Sequence, residues 1–195
     1  MTSHTDLDEA RNEALRKIGR NVVNFQKIEA MLKHLLAQGN INGCASELKK
    51  LQAHSVASLA KQPMGKLADA FGNSAYSRKA TSDDAPEDLA EAFFSFSFKI
   101  ESDKDFAKER KKTLKVLVEE RNKLIHQMLA HFNPNSLESC NNICAELDDQ
   151  NAKVVPEFKY FKSVVDTLNV AQKELIDFLD SGDWGKITED QGNGP

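Results

Sequence analysis

Hydrophobic positions recur at spacings of three and four along most of this chain, and its elements can be read from where that rhythm starts and stops. Thr5 with Asp8 has the form of a capping box and predicts the start of a long first helix. Its apolar stripe is Leu15, Ile18, Val22, Phe25, Leu32 and Leu36, and Gly39-Asn40 ends it. A second helix is predicted over 45–61, with Leu48, Leu51, Val56 and Leu59 facing inward. Pro63 suits the start of a third, whose i, i+3, i+4, i+7 face is Met64, Leu67, Ala68 and Phe71, closed by Gly72-Asn73. From Ser74 to Glu87 the residues turn polar and proline-containing, which predicts a mobile surface loop.

The rhythm then changes to two. Phe94, Phe96, Phe98 and Ile100 alternate with Ser95, Ser97 and Lys99, predicting a short strand, with an aromatic helix as the alternative. A strand needs a partner, and the nearest candidate is the segment Ala75-Tyr76-Ser77. Helical spacing resumes at Ser102, whose spacing to Asp105 again suggests a capping box, and runs to Phe132. There Asn133-Pro134 stops it, because the residue before proline avoids helical torsions. Ser136 caps the next helix, with Leu137, Cys140, Cys144 and Leu147 on its inner face, and Pro156 kinks or divides it. Phe158, Phe161, Val165, Leu168, Leu175 and Leu179 continue as a stripe that is either core or a dimer seam. The fold class expected is mainly α: an up-and-down helical bundle with a short β-hairpin near residues 75–100. One domain over 1–180 and a flexible tail over 181–195 are expected.

Composition narrows the class. Forty per cent hydrophobic and 29% charged residues, without a long apolar run, leave no candidate membrane helix. The first residues lack the basic and apolar regions of a signal peptide, so a cytoplasmic protein is expected. Three cysteines, Cys44, Cys140 and Cys144, lack CxxC spacing and suit reduced thiols packed as small apolar groups. The formal net charge of -4 excludes a globally basic nucleic-acid binder but not a local basic site. Lys104, Lys108, Arg110, Lys111, Lys112 and Lys115 crowd the start of the long helix. They form either a solvated face or an approach for a polyanion, with Lys108, Lys111, Lys112 and Lys115 as candidate RNA-binding residues.

Two polar groups interrupt apolar faces. Glu29 falls inside the stripe of the first helix; it either pairs with Lys33 one turn on or aims inward at an arginine. Arg121 is the second. With Arg121 at zero on a wheel of ~100° per residue, Leu114, Leu117, Val118, Leu124, Ile125, Met128, Leu129 and Phe132 all fall within ~80° of it. Asn122 and His126 lie on one flank, near ~100° and ~140°. A desolvated charge is costly unless partnered, so this placement suits a cleft or an interface better than plain core. The plainer alternative is a structural ion pair of Arg121 with Glu29 or Glu120, beside a surface histidine.

The segment Glu120-Arg121-Asn122-Lys123-Leu124-Ile125-His126 resembles the Arg-polar-x-x-x-His motif of HEPN domains, which also sits on a long helix of a bundle. The resemblance implies a homodimer in which two copies of this helix form one cleft, and in active members a metal-independent ribonuclease without cofactor. It implies that His126 acts as general base or acid on the ribose 2′-hydroxyl or the leaving oxygen. Arg121 would stabilise the phosphate charge, Asn122 would orient the phosphate or the His, and Glu29 and Glu120 would support them. Histidine titrates near neutrality and arginine offers phosphate a fixed fork, which suits these roles. A toxin or defence component restrained by a neutralising partner is one implied role; a catalytically silent scaffold or a nucleotide- or RNA-binding module is the other. His126 and His131 are five residues apart and diverge on the wheel, which disfavours a helical zinc pair, and no metal constellation is expected.

Overall fold

The computed structural model describes residues 4–76 and 93–181. Helix α1 covers His4–Gln38, strand β1 Asn40–Cys44, α2 Leu48–Ala60, α3 Met64–Ser74 and strand β2 Phe93–Ser97. Helix α4 covers Lys104–Lys123 and passes without a break into a π-helical turn, Leu124–Met128, and a final α-helical turn, α5, Leu129–His131. Helix α6 covers Leu137–Ser181. The fold is mainly helical with one small antiparallel sheet, as the periodicity predicts. No described helix is long and apolar enough to cross a membrane. The loop expected over residues 77–87 and the tail beyond Ser181 lie outside the described residues.

Side-chain pairings give the directions. Asn21, His34 and Gln38 of α1 meet Leu147, Asn169 and Gln172 of α6, so these two long helices run parallel. Arg110 and Glu120 of α4 meet Glu157 and Gln150, so α4 runs antiparallel to α6. Gly65 and Gly72 of α3 approach Val118 and Lys111, which makes α3 antiparallel to α4. The result is an up-and-down bundle around Phe25, Ile28, Leu32, Leu67, Phe71, Leu114, Leu117, Leu124, Leu147, Val154, Phe161 and Leu168.

The predicted stripes face the core in large part. The α3 face Met64, Leu67, Ala68 and Phe71 is buried as expected, and so are Phe25, Leu32, Cys140, Leu147, Phe161 and Leu168. Ile18, Val22, Leu36, Cys144, Phe158 and Val165 pack at the core's edge. On α1, Leu15 is 51% exposed and the buried line is Ala14, Asn21, Phe25, Ile28, Leu32, Leu35. On α6 the buried line is Cys140, Ile143, Leu147, Gln150, Val154, Glu157, Phe161, Val164, Leu168. Both lines alternate steps of three and four and contain polar residues, which a search for apolar side chains passes over. Leu51 and Val56 of α2 are exposed rather than inward, because α2 lies at the edge of the bundle. It begins at Leu48, later than predicted, and α3 runs past Gly72-Asn73 to Ser74. Leu175 and Leu179, expected in the stripe, are exposed because α6 extends past the level where Gln172 meets the end of α1.

Pro156 neither ends nor divides α6. Proline removes the hydrogen bond to the carbonyl four residues back, but Pro156 and Ala152 are both exposed, where water can satisfy that carbonyl. The cap of α4 is Asp103 rather than Ser102: its carboxylate accepts from the Phe106 N–H at 2.6 Å. Ser136 does cap α6, its hydroxyl accepting from the Ser139 N–H at 3.2 Å.

The Phe-rich segment is a strand, but its partner is β1 rather than Ala75-Tyr76-Ser77. Ile41 faces Phe96 and Gly43 faces Phe94 in antiparallel register. Asn40-Ile41-Asn42-Gly43-Cys44 carries little strand propensity, which conceals it in the sequence. Gly39 makes the handover from α1. A Cβ there would lie 2.5 Å from the Leu35 carbonyl oxygen, and its own carbonyl accepts from the Phe98 N–H at 2.7 Å. Ala75 still meets this segment beyond the strand, accepting from the Ile100 N–H at 2.9 Å. Ala75 and Tyr76 are buried rather than part of a surface loop.

Candidate functional site

The three motif residues lie where α4 changes its winding. Arg121 and Asn122 are in its last α-helical turn and His126 is in the π-helical turn. The Leu124 N–H is shared between the Glu120 and Arg121 carbonyls, and the Leu129 N–H reaches back five residues to Leu124. Single π-turns inside α-helices occur frequently at functional sites. Here the turn keeps Leu124 and Met128 buried while leaving Asn122 and His126 exposed.

Arg121 is half-buried, as its place on the wheel requires. It lines a cavity of about 230 Å³ between α1 and the motif helix, with Val22, Phe25, Gln26, Glu29 and Ile125. Its Nη1 donates to the Asn122 side-chain oxygen at 3.2 Å. Glu29 borders the same cavity, but its carboxylate accepts from Lys33 at 2.8 Å. Of the two readings of Glu29, the i,i+4 pair with Lys33 is the one present.

Glu120 faces α6 rather than Arg121. Its carboxylate is bonded to Lys153 and to the Gln150 amide, and Gln150 Nε2 also donates to the Glu120 carbonyl at 2.8 Å. The Gln150 oxygen accepts from Asn21 Nδ2 at 3.1 Å, and Asn21 also donates to the Leu147 carbonyl at 2.8 Å. A buried amide chain therefore ties α1, α6 and α4 together one residue before Arg121. It gives a second donor to a carbonyl whose helical hydrogen bond is shared. Neither amide stood out in the sequence, because a search for apolar side chains passes over polar positions in a stripe, and only the three-helix packing shows that they pair.

Burial pushes the Glu120 carboxyl up, but the Lys153 and Gln150 hydrogen bonds outweigh it and leave it below its usual range. A carboxyl held low in the fold adds stability above its unfolded pKa of about 4.3, and that stability is lost as pH falls through the folded value. Because Lys153 is largely exposed, the interaction is worth about 1 kcal/mol. Glu120→Gln should therefore be less stable than wild type by about that much at pH 7, with a smaller gap at an acidic pH below the unfolded value. Urea unfolding at the two pH values checks this; an equal gap at both would assign the stability to packing.

A second polar cluster has no counterpart in the sequence analysis, which placed Arg110 among solvated lysines. Arg110 Nη2 donates to Glu157 at 2.6 Å and Nη1 at 3.2 Å, both side chains being nearly buried. The guanidinium stacks 3.7 Å from the centre of the Tyr160 ring, and the Tyr160 and Tyr76 hydroxyls are 2.6 Å apart. Nε of Arg110 is buried without a partner. Burial would lower the guanidinium pKa, but the bond to Glu157 more than offsets it. Burial and the Tyr160 hydroxyl push the Tyr76 hydroxyl well above its ordinary value. The ordered bidentate pair on an aromatic floor is a structural joint between α4 and α6.

The remaining candidates, Lys108, Lys111, Lys112 and Lys115, border one open cavity of about 910 Å³ with Lys104, Tyr76, Asp103, Asp105 and Glu109. Among the described residues no three imidazole, thiol or carboxylate groups converge as a metal site would require. Cys140 is buried, and Cys44 and Cys144 are half-buried. Comparison of the chain with models of protein families, with curated proteins and with solved structures gives no match.

Proposed function

We propose that this chain is an RNA-cleaving enzyme of the HEPN type, acting through Arg121, Asn122 and His126 at a cleft completed by a second copy. One observation carries the reading. Arg121 stands half-buried at the edge of an open cavity, bonded among the described residues to Asn122, while the adjacent carboxylate of Glu29 is held by Lys33. An arginine that carries no carboxylate partner among the described residues is suited to receive a phosphate in a bidentate pair.

In the reaction the ribose 2′-oxygen attacks the adjacent phosphorus as its proton passes to one His126. The bond from phosphorus to the 5′-oxygen breaks, and the leaving oxygen takes a proton from the other copy's imidazole. The products are a 2′,3′-cyclic phosphate and a 5′-hydroxyl. Arg121 offsets the charge gathering on the non-bridging oxygens, and Asn122 holds the guanidinium in place. In this reading a neutralising protein partner restrains the activity in a toxin or defence setting.

A second reading, a dimeric RNA- or nucleotide-binding module without catalysis, is favoured by the state of His126. No described group hydrogen-bonds its imidazole, whereas a catalytic histidine ordinarily has an orienting partner. Under the first reading the second copy supplies that partner. The deciding experiment incubates the purified chain with single-stranded RNA in EDTA and analyses the ends. Cyclic phosphate termini are expected; RNA left intact at high protein concentration would exclude the enzymatic reading.

A further inference from the structure

The lysines of α4 and the motif residues share one line along the helix. With Lys104 at zero and ~100° per residue, Lys108 falls at ~40°, Lys111 at ~-20°, Lys115 at ~20° and Asn122 at ~0°. His126 would fall near ~40° on a regular helix, and the π-turn, which winds less per residue, brings it closer to zero. Lys104, Lys108, Lys111, Lys115, Asn122 and His126 are all exposed. The line runs about 16 Å from Lys104 to Lys115 and a further 16 Å to His126 at 1.5 Å per residue.

The geometry points to a track for one strand of RNA, lying along the Lys104–Lys108–Lys111–Lys115 row and delivering a phosphate to Asn122 and His126. Three features carry this. The row opens on the largest cavity described above, which five lysines and three acidic residues border. Five ammonium groups against three carboxylates make the cavity's charge locally positive in a chain of net charge -4. Cations in a single file with steps of about 4.5–6 Å match one phosphate backbone, whereas a duplex presents two. Lys111 is fixed by its bond to Asn73 at 3.0 Å, and a Cβ at Gly72 would lie 3.2 Å from its stem, so this rung of the row is pre-positioned. Glu119 stands ~60° off the line and marks the side from which the strand is repelled.

The delivery of a phosphate to His126 rests on the ribonuclease reading, while the track itself is tested by binding alone. The probe is a labelled single-stranded oligonucleotide with 2′-O-methyl riboses, which lacks the attacking hydroxyl, titrated with the full chain at several salt concentrations by fluorescence anisotropy. Four neutralised phosphates give a slope of log affinity against log salt of about -2.8 for a single strand. The double variant Lys108→Gln, Lys115→Gln should weaken binding by about tenfold or more at low salt and make the slope shallower by about 1.4. An unchanged slope, or a blunt duplex bound as tightly as the single strand, overturns the track. If the slope falls as expected and unmodified RNA nevertheless stays intact in EDTA, the track holds and the ribonuclease reading fails. Cleavage that persists with an unchanged slope has the opposite meaning.

Discussion

His126→Ala is expected to lower RNA cleavage by about 10²–10⁴-fold while leaving the stability of the fold within about 0.5 kcal/mol of wild type. The two halves of that expectation have separate causes. The imidazole is exposed, so its removal opens no cavity and frees no buried partner. In the proposed reaction it carries the proton that the 2′-hydroxyl must lose or the leaving oxygen must gain. Arg121→Ala should lower cleavage by a further comparable factor, about 10²–10³, with a small loss of stability. Its side chain packs beside Val22, Phe25 and Ile125. Arg121→Lys should recover little, because an ammonium keeps the charge but not the fork. Rates from single-turnover cleavage, with urea unfolding of each variant, check all three. Wild-type cleavage by His126→Ala would remove this residue from the chemistry.

The second large effect is structural and independent of any activity. Glu157→Ala should destabilise the protein by about 3–5 kcal/mol, because it leaves the Arg110 guanidinium buried beside Tyr160 with no counter-charge. For a chain of this size that corresponds to a fall in Tm of roughly 6–20 °C. Replacing both partners, Arg110→Met with Glu157→Leu, should recover most of the loss, since the penalty comes from an uncompensated charge and not from the absence of an ion pair. The double variant also loses the stacking on Tyr160, worth about 1 kcal/mol, which limits the recovery. If the double variant is no more stable than Glu157→Ala, the pair contributes through geometry that apolar side chains do not reproduce.

These two expectations fall on residues of different legibility. Arg121 was visible as a charge in the middle of an apolar face, and its motif spacing to Asn122 and His126 could be read directly. Arg110 was not visible. It sits among lysines on a helix start, and nothing local separates it from a solvated cation; only the approach of Glu157 and Tyr160 from α6 buries it. Gln150 lies between these cases. It occupies a regular three-four position on α6, but its value depends on Asn21 and Glu120, 129 and 30 residues away respectively.

By itself the sequence determined the helical class, the alternation that makes Phe93–Ser97 a strand, most helix boundaries and the local motif, because periodicity and capping are properties of neighbouring residues. Tertiary structure alone decided that β1 is the partner of that strand and that Pro156 is carried within an unbroken α6. It also decided which polar residues join the buried lines of α1 and α6 and the winding of the motif helix at Leu124–Met128. The physical reason is that each of these balances the desolvation of a polar group against partners on other elements, and those partners are set only when the helices pack.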